Sequence, residues 1–130
     1  MIGVMVVDDN HIFRQLVVDL LREFPSVDIY EAASGREALE KFDRYMPDAI
    51  FIDLELGDEN GFNVIRKIRA MNPNVIITIL TSFDLPEYKE AATRYRVNHF
   101  LTKGISTHGD ISAVMNSILA KWGPQGQLPV

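Results

Sequence analysis

"IGVMVVDDN", residues Ile2 to Asn10, decides how the rest of the chain is read. Its first six residues are apolar or glycine, a run suited to a strand buried on both faces. The run ends abruptly in Asp8 and Asp9, two adjacent carboxylates that repel each other. A buried strand end solvates charge poorly, so the pair calls for something positive opposite it.

Working outward, Val4–Val7 is the first of five strand candidates. The others are Val27–Ala33, Ala49–Ile52, Val75–Leu80 and Asn98–Thr102; the five are short and largely apolar, most of them rich in Val and Ile, as expected of strands buried on both faces. Helical spacing fills the gaps. The first helix carries Ile12, Phe13, Leu16, Val17, Leu20, Leu21 and Phe24, and is expected to stop before Pro25. The second follows Ser34-Gly35, with Ala38, Leu39 and Phe42, and ends near Pro47. The third starts at Gly61 or Phe62, carries Ile65, Ile68 and Met71, and ends at Asn72-Pro73. The fourth, Pro86 to Tyr95, has a weaker stripe. The last, from Ile111 to Trp122, has the cleanest stripe, and Gly123-Pro124 closes it. Strand and helix alternating five times predict an α/β domain with a parallel sheet and right-handed crossovers.

Composition bounds the function. The chain has 130 residues, 47% hydrophobic and 24% charged, which suits one domain with a real core. No apolar run approaches the roughly 20 residues of a membrane-spanning helix. No basic start with a long apolar stretch marks a secretory signal. There is no cysteine, so thiol chemistry is excluded, and a cytoplasmic location is expected. The net charge of -5 argues against this chain gripping nucleic acid by itself.

Ligands of open α/β sheets bind beyond the carboxyl ends of the strands. The residues there are Asp8 and Asp9, then Ser34 and Gly35, Asp53, Thr81-Ser82 and Lys103. Each has an ordinary reading: Asp caps helices, Asp53 could close a turn, Thr81 could be a half-buried hydroxyl, and Lys103 could lie on the surface. Their coincidence at four strand ends carries the argument. Three carboxylates without His or Cys favour a hard cation, Mg²⁺ before Zn²⁺ or Cu²⁺. A lysine, a hydroxyl and a carboxylate free to attack complete a phosphoryl-acceptor site. His11, His99 and His108 show no metal spacing and read as surface or capping residues. Arg66, Lys67 and Arg69 read as a solvated helix face.

At "VMVVDDN", "IFIDLELGDENG", "ILTS" and "HFLTKG" the sequence resembles the receiver domain of bacterial two-component response regulators. "GREALE" and "GFNVIRKIR" are also similar to the family. "LTSFDLPEYKEAATRYRVNHFLTK" is most similar to receivers of the LuxR-type subgroup. The resemblance covers about residues 2 to 122, and implies a flavodoxin-like sheet of order 2-1-3-4-5. It implies a receiver domain over 1–122, with 123–130 a tail or the start of a linker. It implies that Asp53 accepts phosphate from a sensor histidine kinase or phosphotransfer protein. Asp9 and Asp53 would ligate Mg²⁺ directly, Asp8 mainly through water, and the backbone carbonyl of Glu55 would complete the protein ligands. Thr81 and Lys103 would bind phosphoryl oxygens, and Phe100 takes the place of the switch aromatic. Only self-phosphorylation and self-dephosphorylation are implied, not an enzyme acting on another substrate.

The chain departs from the family pattern in places. Gly104 follows Lys103, where the family often has proline after a cis bond; before a non-proline that bond costs roughly 2.5–4 kcal/mol. Leu56-Gly57 replaces the usual Met-Pro and is expected to free the third loop. Glu55 and Phe83 occupy positions that tune phosphoryl lifetime, and Glu55 would either repel phosphate or reach towards Lys103.

The leading function is thus a phosphorylation-controlled switch acting through protein contacts. The runner-up is the receiver part of a longer helix-turn-helix transcription regulator, whose output domain would contact DNA. A remote alternative is a Mg²⁺-dependent phosphatase of haloacid-dehalogenase type, since Glu55 sits two residues after Asp53. An exposed edge of the last helix would suit a homodimer. No membrane contact is expected.

Overall fold

The continuous apolar run of residues 2–7 forms the centre of a sheet. In the computed structural model, which describes residues 1–121, the elements are β1 (Ile2–Val7), α1 (His11–Leu21), β2 (Val27–Ala32), α2 (Gly35–Tyr45), β3 (Ala49–Ile52), α3 (Gly61–Met71), β4 (Ile76–Thr81), α4 (Pro86–Arg94), β5 (His99–Thr102) and α5 (Thr107–Ala120). Trp122 and the expected tail 123–130 lie outside the described residues. All strand pairs are parallel, in the order β2-β1-β3-β4-β5. Among the described residues no helix is long and apolar enough to cross a membrane.

Side-chain alternation along β1 explains its unbroken hydrophobicity. Met5 and Val7 enter one core layer, with Phe42, Ile50, Ile52, Ile65, Ile68 and Ile79. Ile2, Val4 and Val6 enter the opposite layer, with Val17, Leu21, Phe51, Ile111 and Met115. A strand buried on both faces has no polar face to show. The expectation of two-sided burial fails at the sheet edges. β2 and β5 are largely half-buried, and β2 accordingly carries Asp28 and Glu31.

Helix ends follow local chemistry. Asn10 caps α1, accepting from the Phe13 N–H at 3.0 Å. The helix ends at Leu21, short of the expected Phe24, which continues in a turn and still packs on the core. Ser34 caps α2, while Glu37 reaches back to the Ala33 N–H. α5 begins four residues before its apolar stripe, where the Thr107 hydroxyl accepts from the Gly104 N–H at 2.8 Å.

Arg69 corrects the reading of a solvated face. Its guanidinium donates to the carbonyls of Pro73, Val75, Tyr95 and Arg96 and to Asn98 Oδ1. It ties the end of α3 to the turn before β5, where Arg96 takes a φ of 57°. A planar fork with five N–H groups suits that task, and an ammonium does not.

Candidate functional site

Strand register builds the site. Val7 lies opposite both Ala32 and Ile52, and Thr81 lies opposite Thr102. The residues that follow β1, β3 and β5 therefore emerge on one edge. Asp8, Asp9 and Asp53 each offer a carboxylate oxygen there, all within 4.8 Å of one another.

The positive group demanded by the acid pair is Lys103. Its Nζ donates to Asp8 Oδ2 at 2.8 Å and to Asp53 Oδ2 at 2.9 Å. Asp8 and Asp53 are buried, whereas Asp9 is exposed. Burial raises the Asp8 carboxyl above its ordinary pKa, an effect the bonds from Lys103 and the Asn10 N–H only partly offset. Burial pulls the Lys103 ammonium down, but its bonds to Asp8 and Asp53 outweigh that and hold it above the ordinary lysine value. The acids do not cap α1, because Asn10 fills that role.

Other expected site residues occupy the same edge with unequal engagement. Thr81 is fully buried at the end of β4, and its hydroxyl accepts a long bond, 3.5 Å, from the Phe83 N–H. The Glu55 N–H donates to Asp53 Oδ1 at 3.2 Å, while its side chain is exposed. Of the two options for Glu55, reaching towards Lys103 is not realised, since Lys103 is taken by Asp8 and Asp53. Phe100 is half-buried on β5 against the core, with Lys89 Nζ 6.0 Å from its ring centre. No cis bond follows Lys103 or occurs elsewhere among the described residues.

The third loop is tied, not freed. Gly57 takes a φ of +78°, which glycine tolerates without strain. Leu56 is buried, and Glu55 bridges Asn60. Asp58 accepts from the Gly35 and Arg36 N–H groups at 3.0 and 3.1 Å, so the loop caps α2. The absence of proline is thus offset by a tertiary cap.

Residues not expected at the site also shape it. Arg14 donates to the Asp8 carbonyl at 2.6 Å and pairs with Glu31 on β2. Phe13 lays its ring 4.2 Å from Lys103 Nζ. Both fall within the apolar-and-basic pattern of an ordinary amphipathic helix, so nothing in the spacing distinguishes them. The three histidines take ordinary places: His11 beside Arg14, His108 facing Glu23, and His99 half-buried in β5.

The family model described as "Response regulator receiver domain" matches residues 4–115. The chain belongs to this family. As a receiver domain it is 35% identical over 82 residues to a protein-glutamate methylesterase/protein-glutamine glutaminase of Treponema denticola, covering 62% of this chain and 22% of that protein. It is 35% identical over 88 residues to the DNA-binding transcriptional activator DevR/DosR of Mycobacterium tuberculosis, covering 67% and 41%. A LuxR-family response regulator structure from Aurantimonas is 26% identical, with a TM-score of 0.82, covering 98% of this chain and 88% of that one. The chain spans less than half the length of these two curated relatives. One is named as a methylesterase and glutaminase, the other as a DNA-binding activator.

Proposed function

We propose that residues 1–122 form the phosphoacceptor domain of a two-component response regulator, with Asp53 taking phosphate from a histidine kinase or phosphotransfer protein. The observation that carries this is the Lys103 ammonium bonded to both Asp8 and Asp53 beside the exposed Asp9. An all-oxygen donor set of three close carboxylates fits Mg²⁺. Asp9 and Asp53 would hold it directly, Asp8 mainly through water, and the Glu55 carbonyl would join them. The ion would supply positive charge to the phosphoryl oxygens. Lys103 and Thr81 would bind those oxygens, and Phe100 would transmit the change to the α4–β5 side. Exposed Ile12 and Ile105, close in sequence to Asp9 and Lys103, would meet the kinase.

Likeness to DevR/DosR and to a LuxR-family regulator favours a DNA-binding output located outside the residues of this domain. Likeness to the methylesterase keeps an enzymatic output as the competing arrangement. Either way the receiver itself would modify only its own aspartate, in the cytoplasm.

Acetyl phosphate with Mg²⁺ should add one phosphoryl group by intact-mass spectrometry. The adduct should vanish in Asp53→Asn and in chelator. An adduct that persists in either condition overturns the assignment. Steady turnover of a small phosphate ester would favour the phosphatase reading instead.

A further inference from the structure

We infer that Phe13 is a positioning residue for Lys103, a role that rests on the phosphoacceptor reading of the site. The Lys103 side chain is only 14% exposed, and among the described residues its ammonium meets three groups. Two are the carboxylates of Asp8 and Asp53, at 2.8 and 2.9 Å. The third is the face of the Phe13 ring, with its centre 4.2 Å from Nζ. That separation is well inside the roughly 6 Å limit for attraction between a cation and an aromatic face.

The three neighbours differ in what a divalent cation does to them. Asp8 and Asp53 belong to the carboxylate cluster that fits Mg²⁺. Charge drawn to such an ion is charge withdrawn from Lys103. The ring carries no net charge and cannot ligate a hard cation, so it keeps its hold on the ammonium. Phe13 would keep Nζ beside Asp53 during the interval before a phosphoryl oxygen is available.

The backbone at Lys103 is tied, its N–H donating to the Thr81 carbonyl at 2.8 Å and the next N–H, of Gly104, to the Thr107 hydroxyl at 2.8 Å. These bonds fix the Cα and leave the four-carbon side chain free to rotate. The ring, by contrast, is fixed at both ends. Its backbone N–H is held by the Asn10 cap, and its ring packs against the α1–α5 core layer. Arg14, the next residue, grips the Asp8 carbonyl. The first turn of α1 therefore sets the lysine and the acid strand end relative to each other.

The test compares Phe13→Tyr, which keeps the aromatic face, with Phe13→Leu and Phe13→Met, which keep apolar bulk without it. NMR of the Lys103 ε-methylene protons reads the contact directly. Wild type and Phe13→Tyr should show an upfield ring-current shift, and the other two should lose it. With acetyl phosphate and saturating Mg²⁺, Phe13→Leu and Phe13→Met should be phosphorylated about three- to tenfold more slowly. Phe13→Tyr should stay within about twofold of wild type. Mg²⁺ affinity, read from backbone amide shifts near Asp9 and Glu55, should be alike in all four. A purely structural role would not separate Tyr from Met in this way.

Unshifted ε-methylene protons in wild type overturn the proposal. So does a Phe13→Leu protein phosphorylated as fast as wild type. Should wild type keep the ring-current shift yet gain no phosphoryl group on Asp53, the phosphoacceptor reading itself fails, and the positioning role falls with it.

Discussion

A Cβ on Gly61 would lie 2.6 Å from the Cα of Leu54 and 2.7 Å from the carbonyl oxygen of Asp53. Both neighbours are backbone, and the Gly61 N–H already donates to the Leu54 carbonyl at 2.8 Å. The start of α3 thus rests directly on the segment that carries Asp53. Gly61→Ala must push the two apart, which overpacking data put at about 1–3 kcal/mol. Urea melts should register that loss. Gly104→Ala, with nothing within 4 Å, should stay within about 0.5 kcal/mol of wild type. Equal stability of the two variants would contradict the close approach.

Arg69 gives a second expectation. Replacing it with Met leaves the carbonyls of Val75, Tyr95 and Arg96 without this donor. The cost should be about 1–3 kcal/mol in urea. Arg69→Lys should recover little, since one ammonium cannot span that fork of acceptors. Full recovery by lysine would mean that charge matters there and geometry does not.

Much of this architecture was legible in the sequence. The five strands and five helices came from apolar period and Pro/Gly punctuation, and Asp8, Asp9, Asp53, Thr81 and Lys103 came from their places after strands. What stayed hidden depends on partners distant in the chain. Arg69 looks like its neighbours Arg66 and Lys67 until the turn before β5 is folded onto it. Asp58 looks like a loop acid until α2 offers its free N–H groups, 23 residues away. Phe13 looks like core until Lys103 arrives beneath it. The sequence suggests a freed third loop for the same reason: loss of a proline is local and the compensating cap is not. Two-sided burial fails at β2 and β5 because position within a sheet is set by topology, which the local sequence does not carry.

Asp8 and Asp58 should act on stability with opposite signs of pH dependence. Asp8 is raised above its ordinary 3.8 by burial, so the folded state holds its proton more tightly than the unfolded chain does. Its contribution falls as pH rises from 3.8 through the raised folded value and stays reduced above it. Asp58 is lowered by the Gly35 and Arg36 N–H groups. Its contribution is present above 3.8 and is lost as pH falls through the lowered folded value. Metal-free melts across pH 2 to 8 resolve the two. Asp8→Asn should flatten the fall above 3.8, and Asp58→Asn should flatten the loss below it. A single direction of change in both variants would contradict the assigned environments.

Metal and lysine should compete for the same negative charge. The like charges of the cluster suggest that removing any one acid would relieve strain, but Lys103 between Asp8 and Asp53 alters that balance. Asp9 is exposed and has no ion pair among the described residues, so Asp9→Asn should change metal-free stability by less than about 0.5 kcal/mol. Lys103→Met leaves two buried carboxylates facing each other and should cost roughly 3–4 kcal/mol, the lower part of the range for a broken buried pair. Mg²⁺ at a hundredfold excess over Kd should stabilise wild type by about 2.7 kcal/mol. It should stabilise Lys103→Met by more, because no ammonium then competes for Asp8 and Asp53. Asp9→Asn and Asp53→Asn should respond much less. The comparison is made with urea melts of all four proteins in chelator and in Mg²⁺ at constant ionic strength. Equal Mg²⁺ responses in all four would mean that the carboxylates do not form one site, and the competition between metal and Lys103 would have no basis.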